Sequence, residues 1–180
     1  MCSIISENKN PFLTLPLNPT GAFARQSGIL EATVKLMAVA ETTAGQQGLD
    51  RDLLMAAAVL YYNWHFDTID SGYNQTVADL MYGPSAAAAY KVQMKSMALA
   101  ASEETRREIS EEDAMLLGHI LTARGNAVLP AIPEAAALKH LDRMAQEIDE
   151  MNETLADSED AVSIDPNHFN RLLYKAKGMR

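Results

Sequence analysis

The run Leu53-Leu54-Met55-Ala56-Ala57-Ala58-Val59-Leu60-Tyr61-Tyr62-Asn63-Trp64-His65 leaves a folding chain few choices. Leu54, Ala57, Ala58 and Tyr61 recur at three- and four-residue spacing, and Met55, Val59 and Tyr62 fill the neighbouring row. The helix this spacing predicts has almost no face fit for water. Such a helix must be enclosed by others, so whatever its C-terminal end presents lies near the middle of the fold. With 180 residues, 48% of them hydrophobic, one domain can bury a core without disulfides or structural metal.

The rest of the chain reads as helices around that centre. Residues 1–20 hold Asn10-Pro11, Leu15-Pro16 and Asn18-Pro19, and a residue before proline is pushed out of helical geometry. An extended arm is expected there, lying against the domain through Phe12, Leu13, Leu15 and Leu17. Residues 21–180 form the predicted all-α domain. Ile29, Leu30, Val34, Met37, Ala38 and Thr42 suggest a first long helix from Ser27 or Gly28 to about Gln46, closed by glycine. Asp50 is placed to cap the second helix. Thr76 to Tyr82 predicts a short helix ended by Gly83, and Pro84 opens an Ala-rich helix with Tyr90, Met94, Met97 and Ala101 inward and Lys91 and Lys95 opposite. Ser110 followed by three acids predicts a capped helix. Pro133 starts a long one, with Ala137, Leu141, Met144, Ile148, Met151 and Leu155 as a heptad-like seam for the core or for a homodimer. A last helix is expected to be capped by Asp165 and to present Phe169, Leu172, Leu173 and Tyr174. No run of alternating residues argues for a sheet.

Composition narrows the function classes. The lone Cys2 excludes an intramolecular disulfide, and no apolar run reaches the length of a membrane span. The expectation is a cytoplasmic protein. A formal net charge of −9 and a pI near 4.8 argue against direct nucleic-acid binding, which needs clustered Lys and Arg. Glu147, Asp149, Glu150, Glu153, Asp157, Glu159 and Asp160 crowd one stretch, with Arg143 the neighbouring counter-charge. That stretch reads first as a solvated helix face. Its functional alternative is an acidic surface for a basic protein partner.

Four segments together resemble the HD-domain metal-dependent phosphohydrolases, in the branch that includes a bacterial 3′–5′ exoribonuclease. Gly28-Ile29-Leu30-Glu31-Ala32-Thr33 is similar to Gly-Leu-Leu-Glu-His-Thr of that branch. Asp50 to Tyr62 resembles its helix ending in Leu-His-Asp. Leu121-Thr122-Ala123-Arg124-Gly125 stands where Leu-Ser-His-His-Gly occurs, and Val128 to Ala135 matches the Pro-x-x-Pro-Glu-Ala lead into a helix. Asp142 follows at the position of the family's last metal-ligating Asp. The family's chemistry depends on one or two divalent metals held by imidazole and carboxylate. Here the ligand positions carry Ala32, Tyr61, Tyr62, Ala123 and Arg124, and only Asp142 remains. Ala and Arg cannot ligate a cation, and neutral Tyr is a poor ligand for a hard divalent metal.

The resemblance therefore implies an HD-like domain with no catalytic residues, no metal and no cofactor, acting as a regulatory or binding protein through protein contacts. An acidic inhibitor of a nucleic-acid-handling complex, encoded by a phage or mobile element, would suit it. Arg124 is expected to pair with Asp142, guanidinium replacing cation. The competing reading is a phosphohydrolase or nuclease rebuilt from His65, Asp67, His119, His140 and Asp142, and a third is a pocket that binds a nucleotide through Arg124 without turnover. The residues themselves suggest caps, a hydrogen-bonded core histidine at His119 and a half-exposed His140. Tyr61, Tyr62, Tyr73 and Tyr82 suggest core filling and helix-end anchoring.

Overall fold

The structure is a computed structural model that describes residues 2–62, 74, 76–100, 110–156, 161–165 and 171–175. Among these residues the fold is predominantly helical. The elements are α1 (Cys2–Glu7), α2 (Lys9–Thr14), α3 (Gly28–Gln47), α4 (Arg51–Leu60), α5 (Val77–Ala100), α6 (Glu111–Ala123) and α7 (Pro133–Ala156), then β1 (Val162–Asp165) and β2 (Arg171–Tyr174). No helix among the described residues is long and apolar enough to cross a membrane.

The apolar run forms α4, which packs against α3, α6 and α7. Leu54, Ala57, Ala58 and Leu60 are buried along it, and Tyr61 and Tyr62 are buried in the turn that ends it. Local chemistry sets its start: the Asp50 carboxylate accepts from Leu53 N at 3.0 Å, and Asp50 N donates to Glu134 in the first turn of α7 at 2.9 Å. Two helix beginnings are thereby held together. Ser110 and Asp113 form a reciprocal capping box at the head of α6, which satisfies two otherwise orphaned N–H groups. Gly48 closes α3 in the left-handed region, φ 67°, as a glycine C-cap does.

Several expectations about faces and ends are corrected. The arm is helical over Cys2–Glu7 and Lys9–Thr14 rather than extended. Pro11 falls in the first turn of α2, where its missing N–H is not needed. Phe12 and Leu17 are buried against the core as expected, whereas Leu13 is exposed. On α3 the buried stripe is Ile29, Ala32, Thr33, Leu36, Ala40 and Ala44, and Val34 points out. α5 is interrupted at Gly83 (φ 70°, ψ 161°), as predicted, but its faces are reversed. Ala88, Val92 and Ser96 are buried, while Tyr90, Met94 and Met97 are exposed. Small side chains allow a close approach of α5 to α6, its main neighbour, and the distance between packed helices follows side-chain size at the contact. Tyr82, expected in the core, is exposed as well.

The tail is corrected too. β1 and β2 form an antiparallel pair with Asp165 opposite Arg171 and Val162 opposite Tyr174. Asp165 is buried, and its carboxylate takes Arg171 at 3.0 Å. Val162, Ile164, Leu172 and Tyr174 occupy the outward face, with Leu173 inward. The period-two signal is inverted here, charge inside and apolar groups outside, so it does not read as a half-buried strand. His65, Asp67, Tyr73, Ala101, Asp157, Glu159, Asp160 and Phe169 lie outside the described residues.

Candidate functional site

The C-terminal ends of α4 and α6 meet Asp142 in the middle of α7. Tyr62 donates its hydroxyl proton to Asp142 Oδ1, and Gln146, one turn further along α7, donates to the same oxygen at 2.8 Å. Asp142 is 7% exposed, so these two donors take the place of water. Tyr61 and Tyr62 stand edge to face, with centroids 5.5 Å apart. The Arg124 guanidinium lies over both rings, 5.0 Å from the Tyr61 centroid and 5.1 Å from that of Tyr62. Arg124 also donates to the Tyr61 carbonyl at 3.2 Å. A cation at the end of α4 suits the negative end of the helix dipole and satisfies a carbonyl that the helix leaves open.

This geometry brings together Tyr61, Tyr62, Arg124 and Asp142, and it replaces the expected guanidinium–carboxylate contact with a different one. The Tyr62 hydroxyl reaches the carboxylate, while the flat guanidinium stacks on the phenol rings. Such stacking is open to Arg through its planar, weakly hydrated head. Ala32 and Ala123 are fully buried in the same core.

The electrostatics favour a structural role. Burial, reinforced by the Asp142 charge, pushes both phenols above their ordinary ionisation range, although Arg124 pulls the other way. Both therefore stay protonated near neutrality and are poor bases. The Tyr61 hydroxyl is buried with no hydrogen-bond partner among the described residues. An unsatisfied hydroxyl costs about 1–3 kcal/mol, whereas burying a phenol ring of roughly 200 Å² contributes at most about 5 kcal/mol. Ring packing wins.

Of the residues proposed for a rebuilt site, His65 and Asp67 lie outside the described residues, and His119, His140 and Asp142 can be placed. His119 is half-buried, and its Nε2 accepts from Ala131 N at 2.9 Å, fastening the loop between α6 and α7. It is hydrogen-bonded as expected, but at the edge of the core. His140 is exposed, and the neighbouring Lys139 donates to Gly125 O at 2.7 Å. Among the described residues no three His, Cys, Asp or Glu side chains come together as a metal-holding group.

Within the acidic stretch, Asp149 is turned into the molecule. Asp149 is 4% exposed and receives Phe23 N at 2.8 Å, Arg25 through two nitrogens at 2.8 and 2.9 Å, and Lys35 at 3.0 Å. Arg25 also pairs with Glu31 at 2.7 Å and with Glu153, while Lys35 pairs with Glu31 at 2.8 Å. Burial opposes the Asp149 charge, but the bonds from Arg25, Phe23 and Lys35 outweigh it and hold the carboxyl at about 2. Glu147 pairs with Arg171 at 2.7 Å, and Glu150 accepts from Ala22 N at 3.2 Å. The counter-charges of Asp149 come from residues more than a hundred positions away, so neighbouring sequence carries no sign of them. Gln146 is likewise unannounced. Asp142, Arg143, Gln146, Glu147 and Glu150 line a polar cavity of about 320 Å³ on α7.

No family model, curated protein or solved structure matches this chain.

Proposed function

We propose that this chain is a non-catalytic, HD-like binding or regulatory protein, acting through protein–protein contacts, whose ancestral metal centre has become a packed structural plug. The observation that carries the reading is the Tyr62–Asp142 hydrogen bond beneath the stacked Arg124. The one carboxylate left from the HD ligand pattern is committed to Tyr62 and Gln146. The positions of the other ligands carry methyl, phenol and guanidinium groups, which cannot hold a hard cation and activate water. The acidic stretch is turned partly inward: Asp149 is buried, and Glu147, Glu150 and Glu153 make contacts within the molecule.

Metal analysis of the purified protein, together with a phosphodiesterase assay in added Mn²⁺, tests this. The expected result is no stoichiometric Mn, Fe, Ni or Zn, and hydrolysis at the protein-free rate for wild type and Asp142→Asn alike. One equivalent of bound metal, with activity that Asp142→Asn abolishes, overturns the reading.

A further inference from the structure

α5 is apolar on two opposite sides, and among the described residues only one of them is covered. Ala88, Val92 and Ser96 are the buried side. On the other, Tyr82, Tyr90, Met94 and Met97 are 47–70% exposed. A helix of this kind is ordinarily enclosed. Tyr82, Ala86, Ala87, Tyr90 and Met94 line a groove of about 650 Å³, with Lys91 and Lys95 along one edge. The alanines make its floor and the larger side chains its walls. Before the break at Gly83, Val77, Leu80 and Met81 add side chains 69–74% exposed.

We propose that the chain pairs with a second copy of itself through this outer face of α5. Three observations select a second copy as the occupant. The first is area. The exposures of these seven side chains set an upper limit on the order of 900 Å² per copy, and a standard specific interface takes about 800 Å² from each partner. The second is shape. A two-fold interface uses the same patch twice, so the patch must complement itself. The alanine floor and the Tyr90 and Met94 projections sit on one helix face, so antiparallel pairing of the two α5 helices sets the projections of each copy into the floor of the other. The third is charge. Copies of a chain with net charge −9 repel one another, whereas Leu80 to Met97 contains no acidic residue, its charges being Lys91 and Lys95 at the groove edge. The two copies therefore meet where apposition costs least. The heptad-like row on α7 does not compete: of its members Met144 and Ile148 are about half-exposed, and Leu155 is buried. This pairing is independent of whether the chain has lost catalysis.

Sedimentation velocity over about 1–100 μM protein is the test, with Tyr90→Glu and Met94→Glu on α5 and Met144→Glu on α7. Wild type and Met144→Glu should sediment as dimers. Each α5 variant should raise the dissociation constant at least about 100-fold, because pairing would take an added carboxylate out of water. In a Cys2→Ser background, Ala87→Cys, near the midpoint of the antiparallel pairing, should form an intermolecular disulfide on mild oxidation, a readout that does not depend on a destabilising charge. A wild-type chain that stays monomeric throughout, a dimer that tolerates both α5 charges, or one broken by Met144→Glu overturns the proposal. So does a dimer in which the Ala87→Cys variant fails to cross-link.

Discussion

Gly28 occupies a position where no side chain fits. A Cβ there would lie 2.0 Å from Phe23 O and 2.9 Å from Leu17 N, both backbone atoms that cannot move aside cheaply. Phe23, across that contact, holds a φ of 55°, in a region that costs a bulky residue about 1–2 kcal/mol. The strain is offset because the Phe23 ring is fully buried and its N–H is bound by Asp149. Arg25 and Lys35 also lie over the ring, at 5.2 and 4.8 Å from its centroid. Gly28→Ala should therefore cost about 3 kcal/mol of unfolding free energy. Gly48→Ala, at positive φ but with open space around it, should cost about 1 kcal/mol. Urea denaturation of the two variants would refute the account of this corner if their costs came out alike.

At the scale of elements, α7 is unusual in turning two aspartates inward. Asp149 has an electrostatic consequence, because its carboxyl is held at about 2 against an ordinary 3.8. A depressed carboxyl stabilises the fold above its unfolded value, and the contribution disappears as the pH falls through the native value. The window is pH 3.8 down to about 2, and the amount is about 2 kcal/mol. Thermal unfolding followed across acid pH should show this loss in wild type and a flatter profile in Asp149→Asn; parallel profiles would contradict it. Helix starts are legible in the sequence because their causes are local, as at Asp50, Ser110 and Pro133. Helix faces are less so. α5 is apolar nearly all round, so periodicity cannot say which side meets α6, and side-chain size decides it. On α7 the inward row contains Asp142 and Asp149, which a hydrophobic pattern assigns to solvent. Their donors are Tyr62, Arg25 and Lys35, far away in the chain.

Across the whole molecule, two of the polar links that tie distant segments to α7 run through its buried aspartates. Arg25 and Phe23 join the corner before α3 to Asp149, and Tyr62 joins the end of α4 to Asp142. The second link is the proposed plug. The convergence of Tyr61, Tyr62, Arg124 and Asp142 is legible from the order of the four segments. The stacking of Arg124 is not, because it depends on how two rings present their faces. A double-mutant cycle on unfolding free energy, with Tyr62→Phe, Asp142→Ala and the double variant, addresses the plug directly. The account predicts a coupling of about 1.5 kcal/mol or more, as expected for a buried hydrogen bond to a charged group. Effects that add within about 0.3 kcal/mol would mean that Tyr62 and Asp142 do not act together, and would contradict it.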